Sequence, residues 1–232
     1  TAHVLRAARD AGSPTTVVVS SSIAVNGTQS AVVQDETSPC TLDFNRRGFV
    51  YARAKVEVEG LCRQAASDGQ AVIVVNPCEV YGPADVDLIT SGNLIDFAKS
   101  SPVLVCSGGT SVVFVDDVAA GMIAALQRGR SGERYILGGE NLTIRQLAAL
   151  TLEMLGQQKR IVTFPNGMIR GLAGIGSALH VPLPFNPSVI PYATLYWFMD
   201  NSKARNELGL SFRSARETLG PTLAWLKETG RV

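Results

Sequence analysis

Short apolar runs alternate along this chain with segments whose apolar residues recur at helical spacing. Four runs have the length and composition of β-strands: 15–19, 71–75, 111–115 and 135–137. The first two are apolar enough to be buried on both faces of a sheet. Helical spacing predicts helices over 2–11, 49–67, 94–99, 116–129, 143–155 and 214–229. Strands that alternate with helices in this way indicate an α/β fold with a parallel sheet.

The loops that follow the strands are the expected place for chemistry. In open α/β sheets, ligands bind beyond the carboxyl ends of the strands. The loops after Val19, Val75 and Val115 should therefore lie on one rim of the sheet. The segments 26–45 and 79–91 have the composition of long loops, and loops of such length are usually functional or disordered.

The two ends of the chain differ in pattern. Few strand candidates follow residue 161, so we expect residues 1–160 to form the sheet-bearing domain and residues 161–232 a smaller, mostly helical lobe. The apolar stretch 168–178 is short and contains Arg170, which favours a core or pocket-lining helix over a membrane contact. Its glycines at 171, 174 and 176 do not have the spacing of a dinucleotide-binding turn.

Composition narrows the class of protein. The 232 residues are 46% hydrophobic and 18% charged, which is an ordinary globular balance. The net charge is +1 without a Lys/Arg block, so neither nucleic acid nor an anionic membrane is an expected partner. The four cysteines form no Cys-x-x-Cys pair and the only histidines, His3 and His180, are far apart, so we expect reduced thiols, a cytoplasmic protein and no metal site.

Tyr51 and Lys55 are the strongest candidates for chemistry. They are four residues apart on a predicted helix and therefore share one face. A phenol with a pKa of about 10 is a poor proton donor or acceptor near neutrality, and a neighbouring ammonium lowers that pKa. The pair could thus serve as a general acid/base for an alcohol and a ketone. Alone, this spacing is weak evidence, because in an arbitrary sequence it more often reflects a half-buried Tyr beside a Lys whose stem covers apolar surface.

The surroundings of this pair make a resemblance to a known family specific. A serine cluster follows the first strand and precedes Tyr51 by 29 residues, and the second strand begins 20 residues after it. Five segments in the same order are similar to the extended short-chain dehydrogenases/reductases: VVVSSSIAVNG at 17–27, YARAK at 51–55, NPCEVYGP at 76–83, VDDVA at 115–119 and GERYILGG at 132–139. The nearest types within that family are dihydroflavonol-reductase-like and 3β-hydroxysteroid-dehydrogenase-like proteins and hopanoid-associated sugar epimerases.

The resemblance implies a fold and a set of site residues. The fold would be a Rossmann-type doubly wound parallel sheet with a C-terminal substrate lobe. Ser22, Tyr51 and Lys55 would be catalytic, with Ser21 as the alternative serine and a cofactor neighbour. Tyr51 and Lys55 would also bind the NAD or NADP cofactor, near the backbone of Pro77 and Val80. Ser22 and Glu79 would face a small-molecule substrate, and the helix that bears Tyr51 could pair two subunits in a homodimer.

The chain departs from the family at its beginning. No segment before Ser22 can be the Gly-rich turn that receives the cofactor's pyrophosphate. We expect a truncated version of a complete enzyme rather than a natural short form, because a sheet without its central strands would expose large apolar surfaces. The residue that separates NAD from NADP users would be missing too, so the cofactor preference stays open.

Three functions remain open from the sequence. The leading hypothesis is an NAD(P)-dependent oxidoreductase that interconverts a secondary alcohol and a ketone. The second is a nucleotide-sugar epimerase or dehydratase that retains its cofactor, although these relatives usually carry Asn where this chain has Glu79. A carboxylate there is a poor neighbour for a diphosphate. The third is a non-catalytic reductase-like protein that binds a partner or senses a nucleotide.

Overall fold

A computed structural model describes residues 1–44, 48–167 and 190–232. The expectations for 168–178 and for its glycines lie outside these residues. The helices are α1 Ala2–Asp10, α2 Val50–Ser67, α3 Ser91–Lys99, α4 Val115–Arg128, α5 Ile144–Met154, α6 Ile190–Ala193, α7 Ser202–Leu208 and α8 Ala215–Glu228. The strands are β1 Thr16–Val19, β2 Val72–Pro77, β3 Glu79–Tyr81, β4 Val103–Cys106, β5 Gly109–Phe114, β6 Arg134–Leu137, β7 Glu140–Thr143 and β8 Ile161–Phe164. A short 3₁₀ helix, Ser22–Ala24, follows β1.

The first sheet is parallel, in the order β1-β2-β6, and carries helices on both faces. Val72 and Val74 of β2 pack with Cys62 of α2. The alternate residues Ile73 and Val75 pack on the opposite face, against α4. All six residues of β2 are buried, as its apolar run predicts for a central strand. The expected α/β class with a Rossmann-type parallel sheet is confirmed.

The first strand is less buried than predicted. Its residues are only partly buried, and Val19 is 42% exposed. In the described part of the chain, β2 is the one strand that pairs with β1, in the register Thr16 opposite Val72. An apolar strand with one neighbour leaves its other edge, and part of its faces, uncovered.

The prediction that three strands end at one rim is wrong for the third of them. The chain runs from β2 through Cys78 directly into β3, which extends past the end of the first sheet. β5 pairs with this extension, parallel to β3, and antiparallel to β7 in a second sheet ordered β3-β5-β7. The end of β5 therefore lies beyond the rim formed by β1 and β2, and the chain continues there into α4 without a loop.

Four strands of the described part of the chain have no counterpart among the predicted strands: β3, which lies within the predicted loop 79–91, and β4, β7 and β8. β4 and β8 form a separate parallel pair, with Val103 opposite Ile161. Only alternate residues of β4 are buried, which gives a shorter apolar signal than β2 does. The expectation that strands are scarce after residue 161 thus missed β8.

Residues that favour helix ends lie at the start of α5 and α8 and after α1. Thr143, the first residue of the predicted helix 143–155, caps α5 through a reciprocal capping box with Gln146. Ser214 and Glu217 form the same motif at the start of α8. Gly12 follows α1 with φ +68°, a conformation that favours glycine.

Within the described ranges, no helix is long and apolar enough to cross a membrane.

The segment after residue 161 contacts the rest of the protein extensively. β8 pairs with β4, α7 packs against α4 and β6, and α8 packs on β3 and β5. The division into domains at residues 1–160 and 161–232 stays a prediction.

Candidate active site

Tyr51 and Lys55 lie in the first two turns of α2, on one face as predicted. The Tyr51 side chain is half exposed, and the Lys55 Nζ atom lies 5.4 Å from the centroid of its ring. The positive charge therefore lies within cation–π distance of the phenol that it is expected to activate. Solvent exposure at this point leaves the phenol accessible to a ligand.

The serine turn lies against the same helix. β1 ends at Val19, and the Ser21 hydroxyl caps the following 3₁₀ helix by accepting a hydrogen bond from the Ile23 N–H at 3.3 Å. Ser22 is the first residue of this 3₁₀ helix, which packs against α2 and β2 and leaves Ser22 only 6% exposed. The structure thus brings the predicted serine turn and the helix of Tyr51 and Lys55 together.

Cys78 is a neighbour of Ser22 that the sequence did not single out. Burial raises the pKa of the Cys78 thiol to about 12, and a hydrogen bond with the Ser22 hydroxyl acts in the opposite direction. The thiol therefore stays protonated near neutrality, which makes it a poor nucleophile.

Pro77 and Val80 lie on the consecutive strands β2 and β3, at the predicted rim of the first sheet. Pro77 ends β2 opposite Leu137, and Val80 lies in β3 opposite Val113. The Val80 carbonyl accepts a hydrogen bond of 2.5 Å from the Thr90 hydroxyl. Their role as cofactor neighbours stays a prediction.

Glu79 is held by a set of polar side chains from neighbouring elements. Its Oε1 atom accepts hydrogen bonds from the Tyr81 hydroxyl at 2.8 Å and from Asn93 Nδ2 at 2.9 Å, and Thr110 donates a further one. Burial nevertheless raises the pKa of the carboxyl above its usual range. These contacts give Glu79 a structural role between β3, α3 and β5, and its contact with a substrate stays a prediction.

Glu79→Gln is expected to weaken the pH dependence of stability. A raised pKa means that the folded chain keeps this proton at a pH where the unfolded chain has lost it. The stabilisation is present below the ordinary glutamate pKa of about 4.3 and is lost as the pH rises through the raised value. Urea midpoints between pH 4 and 8 should therefore fall less steeply with pH in the variant than in the wild type. Equal slopes would show that the carboxyl does not retain its proton on folding.

A buried polar network beside the site was not predicted from the sequence. Glu59 of α2 is 2% exposed and accepts hydrogen bonds from Asn76 Nδ2 at 2.5 Å and from Arg134 Nη1 at 3.0 Å. Asn76 also donates to the Ser21 carbonyl at 2.9 Å. One signal was present in the sequence: Glu59 follows Lys55 by four residues, as Lys55 follows Tyr51, so the three lie along one stripe of the helix.

The segment 182–197 is apolar and aromatic, a composition that fits either a pocket for a hydrophobic substrate or a packed core. Residues 182–189 lie outside the described part of the chain. Trp197 belongs to a packed core with Val25, Ile136, Leu195 and Met199. For Trp197 the packing interpretation therefore holds.

The residues at this rim fit the nicotinamide end of a dinucleotide cofactor. Tyr51 and Lys55 offer a hydroxyl and an ammonium, which can bind the hydroxyls of a ribose. Both lie on a partly exposed helix face beside the serine turn. Among the described residues, no three His, Cys, Asp or Glu side chains lie together as potential metal ligands.

Sequence comparisons relate the chain to one family. Residues 1–138 match the NAD dependent epimerase/dehydratase family. A protein of Synechocystis sp. named as a dihydroflavonol 4-reductase is 30% identical over 243 positions, which cover all of this chain and 70% of that protein. Sterol demethylase protein B of Methylococcus capsulatus is 28% identical over 194 positions, which cover 80% of this chain and 58% of that protein.

Solved structures show the same fold. A nucleoside-diphosphate-sugar epimerase from Pseudomonas aeruginosa has a TM-score of 0.81 at 26% identity and covers 98% of this chain, which spans 71% of that structure. UDP-glucuronic acid 4-epimerase from Bacillus cereus, solved in complex with NAD, has a TM-score of 0.72 at 16% identity, with coverage of 98% and 66%. At that identity the second likeness concerns the fold alone.

Proposed function

Because the chain belongs to the NAD-dependent epimerase/dehydratase family, we propose that it is a nicotinamide-dependent oxidoreductase that interconverts a secondary alcohol and a ketone. The observation that carries the proposal is the position of Tyr51 and Lys55 on a partly exposed helix face that packs against the serine turn. The sequence relatives named as a reductase and as a sterol demethylase protein support small-molecule redox chemistry.

Each side chain has a distinct task in this proposal. In the direction of reduction, the Tyr51 hydroxyl donates its proton to the substrate oxygen, and in oxidation it accepts that proton back. The Lys55 ammonium, 5.4 Å from the centre of the Tyr51 ring, stabilises the negative charge that develops on the Tyr51 oxygen as its proton leaves. Ser22 donates a hydrogen bond that holds the substrate oxygen beside Tyr51.

The cofactor would be held at its nicotinamide end by residues of the same rim. Tyr51 and Lys55 would bind the ribose, and Ser21 and the backbone of Pro77 and Val80 would line the nicotinamide ring. When bound, the cofactor would donate a hydride to the substrate carbon in reduction and accept one from it in oxidation. Either NAD or NADP suits these residues, which do not contact the part of the cofactor that distinguishes the two.

A second function, epimerisation or dehydration of a nucleotide sugar, is favoured by the likeness to the Pseudomonas aeruginosa epimerase. It would use Ser22, Tyr51 and Lys55 with a cofactor that is regenerated in each cycle. Glu79 makes the epimerase or dehydratase function less favoured, because a carboxyl group beside the diphosphate of a nucleotide sugar is unfavourable whenever it is ionised.

Cofactor turnover separates these functions. The purified protein is mixed with NADH or NADPH and with hydroxyketones, steroid ketones, dihydroflavonols or nucleotide sugars, and absorbance at the nicotinamide band is followed. The oxidoreductase proposal expects net oxidation of the cofactor with one class of ketone. Conversion of a nucleotide sugar without net oxidation would favour the epimerase. Tight cofactor or partner binding without turnover of any class would favour a non-catalytic protein.

The assembly and location of the protein are also proposals. Apolar residues on the exposed side of α2, Val50 and Leu61, suit a helix-to-helix contact between two copies in a homodimer. Light scattering at micromolar concentration should show a mass of two chains, and a monomer would contradict the dimer.

The four cysteines are free, which suits a reducing compartment such as the cytoplasm.

A further inference from the structure

Glu59 is a buried carboxylate on the helix that carries the proposed general acid/base. Tyr51, Lys55 and Glu59 are spaced by four residues, so each lies about 6 Å further along the same stripe of α2. Tyr51 is half exposed, whereas Glu59 is almost fully enclosed. The stripe therefore runs from an accessible end, where a ligand can bind, to an anchored end beneath the helix.

The first anchor of Glu59 is the amide of Asn76. This residue lies in the fully buried strand β2, and its Nδ2 group donates one hydrogen bond to Glu59 Oε1 and another to the carbonyl of Ser21. Ser21 in turn caps the 3₁₀ helix that begins with Ser22. One amide group thus joins the helix of Tyr51 to the turn of Ser22.

The second anchor is the guanidinium of Arg134 in β6. It donates to Glu59 Oε2 at 3.0 Å, and its Nε and Nη2 atoms donate to the Glu36 carbonyl at 2.9 and 2.7 Å. The side chain is 19% exposed, so the ion pair is largely shielded from water. A buried carboxylate is tolerated when a cation and further hydrogen bonds compensate it, and Arg134 meets that requirement.

We propose that Glu59 is a positioning residue for the Tyr51–Lys55 pair, which fixes the rotation and distance of α2 relative to the serine turn. The proposal rests on the oxidoreductase function proposed above. A carboxylate suits this task because both of its oxygens accept hydrogen bonds, one from each anchor. A carboxamide would turn an N–H group towards one of the two donors, and a shifted helix would change the separation between Tyr51 and Ser22.

The test compares Glu59→Gln and Glu59→Asp with Glu57→Gln. Glu57 lies on the same helix and pairs with Arg53 on the exposed side, which makes it a matched control outside the site. A misplacement of about 1 Å can cost up to about 100-fold in rate. We expect kcat per folded molecule to fall by about tenfold to 100-fold in Glu59→Gln and by a smaller factor in Glu59→Asp, with the KM for cofactor within about twofold of the wild type.

If Glu59 only stabilised the fold, its replacement would lower the unfolding midpoint and leave kcat per folded molecule unchanged. That result in either folded variant would overturn the proposal. Glu59→Asp keeps the charge and tests the proposal if Glu59→Gln does not fold. The Glu57→Gln variant should match the wild type in both quantities.

Hydrogen exchange separates this proposal from the function on which it rests. Amides of segments 20–26 and 50–56 should exchange faster in Glu59→Gln than in the wild type. In Glu57→Gln their exchange rates should equal those of the wild type. Unchanged exchange in the Glu59 variants would overturn the positioning role. A wild-type protein that lacks turnover, while the Glu59 variants show faster exchange, would instead contradict the oxidoreductase function and leave the anchoring of α2 to the serine turn established.

Discussion

Tyr51→Phe is expected to lower kcat by about 10²- to 10⁴-fold, the usual contribution of a positioned general acid or base. The substitution removes one oxygen atom from a half-exposed side chain at the start of α2. The ring can keep its contact with Lys55, whose Nζ atom lies 5.4 Å from the ring centroid. Folding should therefore be little affected while the proton-transferring group is lost. Steady-state kinetics with the ketone found by cofactor turnover would measure the effect.

Tyr135→Phe is the matched control for this experiment. Its hydroxyl accepts a hydrogen bond from the Arg130 N–H and donates one to Glu207, on the side of the first sheet that faces α4 and α7. The variant should lose some stability and keep its kcat. Wild-type turnover in Tyr51→Phe would contradict the proposed mechanism and favour another proton donor.

Trp197→Ala is expected to destabilise the protein by about 3–5 kcal/mol, the usual cost of removing a buried aromatic side chain. Trp197 is 7% exposed, and its ring stacks with Tyr192 at a centroid distance of 6.0 Å. Its Nε1 atom donates a 2.9 Å hydrogen bond to the Tyr192 carbonyl. A Cβ atom added at Gly27 would lie only 2.6 Å from the ring, so Trp197 fills the space beside the segment that follows the serine turn.

Trp225→Ala is the natural comparison, since the chain has only two tryptophans. Trp225 is partly buried near the end of α8 and contacts the Arg231 guanidinium at 4.9 Å from the ring centroid. Its removal should cost less. Urea unfolding followed by circular dichroism gives both values without depending on tryptophan fluorescence. Equal losses in the two variants would show that Trp197 does not hold a special place in the core.

The α/β class could be predicted from the sequence because its signals are local. The run 71–75 is continuously apolar and β-branched from Val72 onward, as is typical of a fully buried central strand, and residues 72–75 form the first part of β2. The start of α5 could be predicted from Thr143, because a threonine hydroxyl is a favoured helix cap. Tyr51 and Lys55 share a face because helix geometry alone determines the neighbours of a residue four positions away.

The grouping of strands into sheets depended on contacts between distant segments. β5 is as fully buried as β2 of the first sheet, yet it pairs with β3, since the chain continues past the rim after β2. β8 became a strand through its pairing with β4, almost 60 residues earlier. Strand pairing of this kind is decided by long-range register, which a local pattern does not contain.

The candidate site shows the same boundary between local and tertiary information. The sequence by itself determined the Tyr51–Lys55 pair of α2 and the serine turn as separate motifs. Glu57 and Glu59 are the same residue type on one helix, but Glu57 is exposed and Glu59 is enclosed between Asn76 and Arg134. Only the tertiary structure decided which carboxylate is buried, because burial depends on the strands that pack beneath the helix and on the cation that they bring to it.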